Sequence, residues 1–354
     1  MELVPIVPFT LQGQVIEAVT ANPIANAKVL ITNPLYTITV QTNASGNFTV
    51  PNFIEDYYDV YIGKWSYNQL CLSNQNLDLA GNTHVFQMST GYYDDFTFDL
   101  GWTVTGNPTS GDWVKDIPVG TTNGSDLANP GEDSPTDCLD EAYITGNGGG
   151  GAGTDDIDGG QTTLTSPIFD ISTYGDAYLH FDRWFYNGGG FSAPNDSLVI
   201  ELSNGSSVVK IDFSTPSDPT MSTWSSKTVQ VSSVITPTST MQLIVRAMDL
   251  TPGHVVEAGF DKFMVIDSSQ VGIVDASKTM NDNVIYPNPF NNELTIQLNS
   301  IAKVMRVEVY EITGKMISKI EFNNTSIANF KNNYKSGIYF IKVYGDGILI
   351  KTQK

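Results

Sequence analysis

The chain has 354 residues, and the 25 acidic against 6 basic side chains of residues 89–267 account for almost all of its net charge of −20. Because contact with a phosphate backbone needs Lys and Arg, this charge argues against nucleic acid as a partner. No apolar run reaches the roughly 20 residues that span a bilayer, so the sequence predicts no transmembrane segment. Thr, Ser, Asn and Gly dominate the remainder, which favours strands and turns over helices.

Residues 11–88, which follow a lead-in of residues 1–10, alternate between apolar and polar side chains, with turn residues between the alternating segments. This pattern predicts short antiparallel strands in a small sandwich. Three segments resemble the carboxypeptidase regulatory-like domain: Gly13-Gln14-Val15, Pro23-Ile24-Ala25-Asn26-Ala27-Lys28-Val29 and Ser45-Gly46-Asn47-Phe48. The resemblance implies a transthyretin-like sandwich that accompanies other modules and carries no activity of its own.

Residues 90–267 form a second predicted unit of about eight strands, a number typical of a jelly-roll sandwich. A long loop over residues 118–160, rich in Gly, Asn, Asp and Pro, interrupts the strands. Four segments resemble the jelly-roll modules attached to exported bacterial peptidases: Gly101-Trp102-Thr103-Val104, Asp158-Gly159-Gly160, Leu164-Thr165-Ser166-Pro167 and Val256-Glu257-Ala258-Gly259-Phe260-Asp261.

Residues 268–283 are short of large apolar side chains, which predicts a linker, and residues 284–354 then alternate with a period of two. Two prolines near the start of this last segment have no backbone N–H to donate to a neighbouring strand. The order of elements resembles the type A C-terminal sorting domain of the bacterial type IX secretion system, found in Bacteroidetes. The residues of this sorting signal are Tyr286, Pro287, Asn288, Pro289, Phe290, Gly314, Gly337, Tyr339 and Lys351.

The resemblance to the sorting domain implies that residues 284–354 are a targeting signal for export. It implies passage through the periplasm, recognition by the type IX secretion machinery, and a final location in the medium or on the outer cell surface. It also implies removal of the sorting domain at the linker, after which attachment to cell-surface lipopolysaccharide could follow. Residues 1–10 show no basic region before a long apolar stretch, so no signal peptide is evident. We therefore expect the sequence to be a piece of a longer exported protein.

The predicted fold is all-β, with tandem sandwiches, transthyretin-like and then jelly roll, followed by a small β-sandwich sorting domain. Cys71 and Cys138 are the two cysteines, and they fall in different predicted domains. Two cysteines exclude a disulfide framework and a four-cysteine zinc site. Export permits disulfides, so the sequence leaves open either one bridge or two unpaired thiols.

Catalytic signatures are sparse. His254 and Glu257 have the H-x-x-E spacing of zinc carboxypeptidases, but those enzymes need a second His downstream, and none follows His254. Residues three apart on a strand also point to opposite faces, so the pair could not hold one ion. The H-E-x-x-H and G-x-S-x-G patterns do not occur. The sequence therefore predicts no zinc site and no catalytic residue in this chain.

Calcium is the ligand that the acidic residues favour, because carboxylates beside flexible glycines suit a cation that binds oxygen alone. An EF-hand centred on Gly159 is rejected, because Thr154 and Thr165 stand where it needs carboxylates. The jelly-roll resemblance implies one structural calcium between the first and last strands and a nearby loop. The expected ligands are Asp94, Asp95, Asp99, Asp158 and Asp261, and the alternative is a solvated acidic surface.

Four of the five tryptophans, Trp102, Trp113, Trp184 and Trp224, lie in residues 90–267. Such side chains either fill a sandwich core or form an exposed platform for sugars. The favoured interpretation is a non-catalytic accessory and secretion-targeting region, the C-terminal part of a zinc carboxypeptidase-like peptidase. The alternative is a cell-surface carbohydrate-binding or adhesion protein without an enzyme domain, and a third reading places an active site in the acidic sandwich.

Overall fold

A computed structural model describes residues 8–78, 83–135, 137–190, 192–218, 221–270, 284–286, 293–311, 315–331, 334, 337, 339–345 and 348–353. The chain divides into two compact units, Met1–Gly272 and Ile273–Lys354. Among the described residues, the helical segments are three short 3₁₀ turns, Ala152–Thr154, Val231–Ser233 and Ser268–Gln270. The remaining regular structure is strand, which confirms the predicted all-β class.

Seven strands open the first unit and form two sheets. They are β1 (Phe9–Glu17), β2 (Lys28–Thr32), β3 (Thr37–Gln41), β4 (Asn47–Phe53), β5 (Asp56–Gly63), β6 (Leu70–Leu77) and β7 (His84–Met88). One sheet has the order β4-β1-β7 and the other the order β3-β2-β5-β6. Val15, Val29 and Phe48 belong to the core between them, because alternate residues of each strand point inward.

Fourteen further strands follow in the same unit. They are β8 (Tyr92–Asp94), β9 (Thr103–Gly106), β10 (Trp113–Asp116), β11 (Thr121–Asn123), β12 (Asp126–Leu127), β13 (Ala142–Thr145), β14 (Gly150–Gly151), β15 (Gly160–Thr165), β16 (Ala177–Gly188), β17 (Ser197–Ser203), β18 (Val208–Ser214), β19 (Ser225–Gln230), β20 (Gln242–Asp249) and β21 (Val255–Asp267). The two large sheets have the orders β10-β13-β21-β16-β19, with β8 beside β21, and β18-β17-β20-β15-β9. A small third sheet joins β12, β11 and β14.

The alternation that predicted these strands is visible in their burial. Leu198, Ile200 and Leu202 of β17 are all fully buried, and the residues between them are partly exposed. The predicted loop over residues 118–160 contains the short strands β11, β12 and β14, and also β13, which belongs to the six-stranded sheet. All four β13 residues are buried, so the strand lacks the alternation that would have identified it.

Trp65, from the segment between β5 and β6, packs against the core of the large sheets. Its ring stacks on Phe263 at a centroid distance of 5.6 Å and meets Trp102 edge-on at 6.4 Å. Its Nε1 donates a hydrogen bond of 2.7 Å to the carbonyl of Ile168. The two pairs of sheets in the first unit therefore share an aromatic contact, because Trp65 comes from one pair and its neighbours from the other.

Replacing Trp65 with Ala should lower the free energy of unfolding of the first unit by about 2 kcal/mol, less than for a fully buried aromatic. The loss follows from the stacked ring and from the orphaned carbonyl of Ile168. Urea denaturation followed by tryptophan fluorescence measures it. Tyr57→Ala is the matched control, because Tyr57 is 55% exposed, and it should cost under about 1 kcal/mol. Equal losses in the two variants would refute this role for Trp65.

The second unit contains one five-stranded sheet, formed by β22 (Val284–Tyr286), β23 (Glu293–Glu311), β24 (Met316–Lys331), β25 (Tyr339–Gly345) and β26 (Ile348–Gln353). The sequence predicts separate strands on either side of residues 299–305, whereas β23 runs through this stretch as one strand. A register shift between Gln297 and Ala302 marks the irregularity. Ile296, Val307 and Val343 are buried in the core of this unit.

Several residues of the predicted sorting signal lie outside the described residues, namely Pro287, Asn288, Pro289, Phe290 and Gly314. Of the others, Tyr286 ends β22 and pairs with Thr295, and Lys351 pairs with Val343. Gly337 is exposed, and the ring of Tyr339 lies 5.3 Å from that of Tyr334. In the part of the chain that the structure describes, no helix is long and apolar enough to cross a bilayer.

Candidate cation site

Three carboxyl groups from distant parts of the sequence converge beside the six-stranded sheet. Asp133 and Asp137 lie between β12 and β13, whereas Asp261 lies in β21. One oxygen from each group lies within 4.8 Å of the other two. Carboxylates this close repel one another unless a proton or a cation lies between them. The cluster therefore has the composition of a site for a hard divalent cation.

Four side-chain oxygens of this cluster have no hydrogen-bond donor among the described residues. Asp261 is fully buried, and its Oδ2 atom has no hydrogen-bond partner among the described residues. Within the same residues, both side-chain oxygens of Asp133 and Oδ2 of Asp137 also lack a partner. A buried carboxylate without a partner costs several kcal/mol unless something compensates it. These four oxygens therefore point to a cationic ligand.

The pKa values of the three acids also reflect their burial and their mutual repulsion. Burial, above all, raises the pKa of Asp133 to about 7 and the pKa of Asp137 to about 6. Burial, followed by repulsion from Asp133 and Asp137, holds the pKa of Asp261 well above its usual value. Without a cation the cluster keeps protons near neutral pH, and a bound cation would displace them.

Contacts with the sheet fix the first half of the loop that carries Asp133 and Asp137. The hydroxyl of Ser134 donates to the carboxylate of Asp182 on β16. Lys262, beside Asp261, donates from Nζ to the carbonyl of Pro135. The same ammonium lies 3.6 Å from Asp182 Oδ2, so it neutralises that carboxylate. Asp182 is therefore paired, whereas Asp133, Asp137 and Asp261 are the acids with buried oxygens that have no donor among the described residues.

A disulfide between Cys71 and Cys138 fixes the second half of the loop. Of the two states that the sequence leaves open, the structure has the bridge, with a Cα–Cα distance of 6.0 Å. Cys138 directly follows Asp137, and its backbone N–H donates to Asp95 Oδ2 at 3.2 Å. The bridge thereby ties the acidic loop to β6, a strand of the first pair of sheets.

An irregularity in β21 places Asp261. The pairing of β16 with β21 shifts register between His180 and Asp182, so that Asp182 faces Asp261. Lys262 then adopts a left-handed φ of +54°, and its N–H donates to Asp261 Oδ1 at 2.6 Å. Because a bulge changes the direction in which a side chain points, it can turn an acid toward a site that a regular strand would miss.

Asp94 and Asp95, two of the predicted calcium ligands, are buried but already satisfied. The Phe96 N–H and the Trp102 Nε1 each donate to Asp94 at 3.0 Å. Asp95 accepts its bonds from the backbone N–H groups of Thr97 at 3.1 Å and Cys138 at 3.2 Å. These carboxylates shape the turn after β8 and the end of the acidic loop, so they are not brought into the cation cluster.

Asp99 and Asp158 are exposed, and each accepts a local hydrogen bond, from the Gly101 N–H at 3.0 Å and from the Ser110 hydroxyl at 3.2 Å. Of the five predicted ligands, the cluster contains Asp261 alone among the residues that the structure describes. The structure therefore does not bring the predicted set together, and the acidic cluster consists of Asp133, Asp137 and Asp261. Sequence reasoning missed the first two because they lie in a long acidic loop more than 120 residues before Asp261.

Asp156 and Glu257 form a second buried acidic pair, between the loop before β15 and β21. The Val256 N–H donates to Asp156 Oδ2 at 3.2 Å, and the Thr121 hydroxyl lies 2.8 Å from both oxygens of Glu257. Burial is the largest cause that raises the pKa of each acid to about 7. Both acids therefore have donors, which separates this pair from the cation cluster.

Acidification in EDTA should stabilise the protein through this pair. The folded pKa values lie near 7, above the values of about 4 in the unfolded chain, so the contribution is complete below the unfolded pKa and is lost as pH rises through the folded pKa. We expect the free energy of unfolding to fall between about pH 5 and about pH 7.5. The double variant Asp156→Asn, Glu257→Gln should flatten this slope, and the exposed control Asp116→Asn should not. Equal slopes in both would contradict the assignment.

Ser192, His254 and Asp196 are connected like a serine–histidine–acid triad. The Ser192 hydroxyl lies 3.1 Å from His254 Nε2, and Asp196 Oδ2 lies 3.1 Å from His254 Nδ1. The imidazole has no exposed surface, so the leaving group of a substrate could not reach Nε2. Asp196 also accepts the Leu250 N–H at 2.7 Å. Ser192 itself is exposed, and the array ties the segment of Ser192 and Asp196 to that of His254.

The tryptophans belong to the core rather than to an exposed platform. Trp102, Trp113 and Trp184 are 7%, 3% and 0% exposed. Trp224 is half-buried, packs edge-on against Trp184 at 6.3 Å, and donates from Nε1 to the Glu132 carbonyl at 2.8 Å. The four rings stabilise the sandwich and the start of the acidic loop.

A pocket of about 650 Å³ is lined by Tyr93, Tyr174 and Asp267, among others. The carboxylate of Asp267 already accepts hydrogen bonds from the backbone N–H groups of Gly175 at 3.2 Å and Ser269 at 3.1 Å. Burial opposes the shift, but the hydrogen bond from the Ser269 hydroxyl at 2.7 Å and the backbone bonds together lower the pKa of Asp267 to about 2. Because the oxygens of Asp267 already accept hydrogen bonds from the protein, this pocket provides fewer free acceptors for a ligand than the cation cluster does.

Two known structures with distant likeness to the chain are described as carbohydrate-binding. A carbohydrate-binding module of the β-sandwich superfamily is 11% identical, with a TM-score of 0.31, over 73% of this chain and 98% of its own. A putative carbohydrate-binding protein from Bacteroides uniformis is 9% identical, with a TM-score of 0.24, over 73% and 99%. At these TM-scores the likeness assigns no ligand to the chain. No curated protein matches it.

The last part of the chain matches a protein family. Residues 284–354 match the family described as the secretion system C-terminal sorting domain. The match covers the second compact unit from the start of β22, and it confirms the sorting domain that the sequence predicted. The chain is thus exported by type IX secretion, to the cell surface or the medium.

Proposed function

We propose that this exported chain is a non-catalytic binding protein in which one calcium ion at Asp133, Asp137 and Asp261 holds the acidic loop against β21. The observation that carries the proposal is the set of four carboxylate oxygens without donors among the described residues, one of them on the fully buried Asp261. The cluster offers oxygen ligands alone, which suits Ca²⁺ and not the nitrogen or sulfur preference of zinc.

The cation would give the loop a fixed conformation. Asp133 and Asp137 belong to the loop, and Asp261 belongs to the sheet, so an ion between them joins the two. The hydrogen bond from Ser134 already holds the loop close to this sheet, and the disulfide at Cys138 ties the loop to β6. The ion then neutralises the repulsion that remains at this junction. A surface built on the loop would therefore depend on calcium.

Calorimetric titration of the EDTA-treated full chain with calcium chloride tests the proposal. We expect one site with a dissociation constant of about 10⁻⁴ to 10⁻³ M, the range of extracellular calcium modules. Magnesium should bind more weakly, because it demands tighter octahedral geometry. The control Asp116→Asn changes an exposed carboxylate on β10 and should bind calcium as the native chain does. Absence of heat with the native chain would refute the site.

Carbohydrate binding is the second candidate function. A pocket of about 440 Å³ opens at the cation cluster, and its lining includes Asp133, Asp137 and Asp140 together with Ile117 and Pro118. This combination of carboxylates and apolar side chains is a lining that sugars use. A glycan array probed with the full chain, with and without calcium, tests it. A blank array under both conditions would count against this candidate.

Two finer roles are inferred from the sequence resemblances alone. In the first role, the chain is the accessory region of a zinc carboxypeptidase-like enzyme. In the second, the chain becomes attached to lipopolysaccharide after the sorting domain is removed. Among the described residues, His254 and Glu257 are engaged with Asp196 and Thr121 respectively. An upstream reading frame with an H-x-x-E pattern and a distant His would support the first role. Co-purification of native protein with lipopolysaccharide would support the second.

A further inference from the structure

We infer that the cation keeps an open face toward the pocket, and that this face binds paired hydroxyl groups of an uncharged saccharide. The inference rests on the proposed cation site and adds the class of ligand. Asp261 is fully buried and closes one side of the site. Asp133 and Asp137 are the members of the cluster that line the pocket of about 440 Å³. The ion would therefore be enclosed on the sheet side and accessible on the pocket side.

The number of available oxygens leaves the coordination sphere incomplete. Among the described residues, four buried side-chain oxygens of the cluster have no donor, two on Asp133 and one each on Asp137 and Asp261. Calcium takes about six to eight oxygen ligands, so two or more positions remain after all four have bound. Water would fill these positions in the absence of a ligand. Two neighbouring hydroxyl oxygens can replace two waters without adding charge.

The pocket walls favour an uncharged ligand. Glu132 and Asp140 line the same pocket as Asp133 and Asp137, so its charge is strongly negative even with one calcium bound. An anionic ligand such as a phosphate or a carboxylate would meet this field at close range. Ile117, which is 55% exposed, provides an apolar surface on the same wall. Such a wall can pack against the C–H face of a sugar ring while its hydroxyl groups reach the ion.

Luminescence of Tb³⁺ bound to the full chain tests the inference. Its lifetimes in H₂O and D₂O give the number of water molecules on the ion. We expect about two or more waters, because the protein leaves that many positions open. Methyl α-D-mannoside at tens of millimolar should remove about two of them, whereas its fully O-methylated form should remove none. The control Asp116→Asn should behave as the native chain does in both respects.

The outcomes separate this inference from the cation site itself. Terbium that binds with no more than one water, or that keeps its waters in the presence of the sugar, would overturn the saccharide inference and leave the cation site standing. Terbium that does not bind, or that binds equally well to the Asp261→Asn variant, would overturn the cation site and the inference with it. Displacement of water by the O-methylated sugar as well would also refute direct coordination by hydroxyl groups.

Discussion

Replacing Asp261 with Asn should change the free energy of unfolding in opposite directions with and without calcium. In EDTA the variant removes a buried carboxyl group that faces two others, so it should be more stable than the native chain by about 1 kcal/mol. With calcium at one hundred times its dissociation constant, the native chain gains about 2.7 kcal/mol that the variant lacks. Asn keeps the shape of the side chain, so packing should change little.

Urea denaturation followed by tryptophan fluorescence measures this effect in the correct part of the chain. All five tryptophans lie between Trp65 and Trp224, and the signal therefore reports the first unit alone. Asp158→Asn is the matched control, since this exposed residue was also a predicted calcium ligand. Its response to calcium should equal that of the native chain. An Asp261→Asn variant that loses the same stability in EDTA and in calcium would show that Asp261 has a packing role only.

Removing the disulfide by the double replacement Cys71→Ser, Cys138→Ser should have the largest effect on stability. The bridge joins residues separated by 67 positions. A loop of this length restricts the unfolded chain by about 4 kcal/mol. The bridge also matches the oxidising environment that an exported chain meets. Urea denaturation of the native and double-variant chains, both in EDTA, measures the loss without a contribution from calcium.

The same double variant should bind calcium about tenfold more weakly, because the bridge holds the loop next to Asp137. In the native chain Cys138 keeps its N–H on Asp95, so Asp137 starts close to Asp261. Without the bridge, part of the free energy of calcium binding is used to order the loop. Calorimetric titration of both proteins with calcium, at a temperature where both are folded, decides the point. Equal dissociation constants would show that the loop is ordered without the disulfide.

Much of the fold could be predicted from the sequence, because apolar and polar side chains alternate along strands that have one face buried and one face exposed. β17 is the clearest case, since the sequence placed it at residues 197–202 and the structure places it at Ser197–Ser203. β13 was missed because all four of its residues are buried, which removes the alternation. β23 was predicted as two strands because residues 299–301 have no clear period, and its pairing with β24 shifts register between Gln297 and Ala302 although the strand continues.

The cation site was harder to predict, because it depends on contacts between distant parts of the chain. Asp94, Asp95 and Asp261 were all named on a family resemblance, and of these three the structure places Asp261 in the acidic cluster. Turn hydrogen bonds use the oxygens of Asp94 and Asp95. Asp133 and Asp137 have no local signature. A disulfide between Cys71 and Cys138 would have brought this loop to the sheet, but the sequence left that bridge undecided.

The most direct test of the cation site is anomalous diffraction from crystals of the full chain grown with calcium. We predict one anomalous peak among the carboxylates of Asp133, Asp137 and Asp261, with oxygen distances of about 2.3–2.6 Å and further oxygen ligands on the pocket side. Carboxyl groups that hydrogen-bond to one another, with no peak between them at saturating calcium, would contradict it.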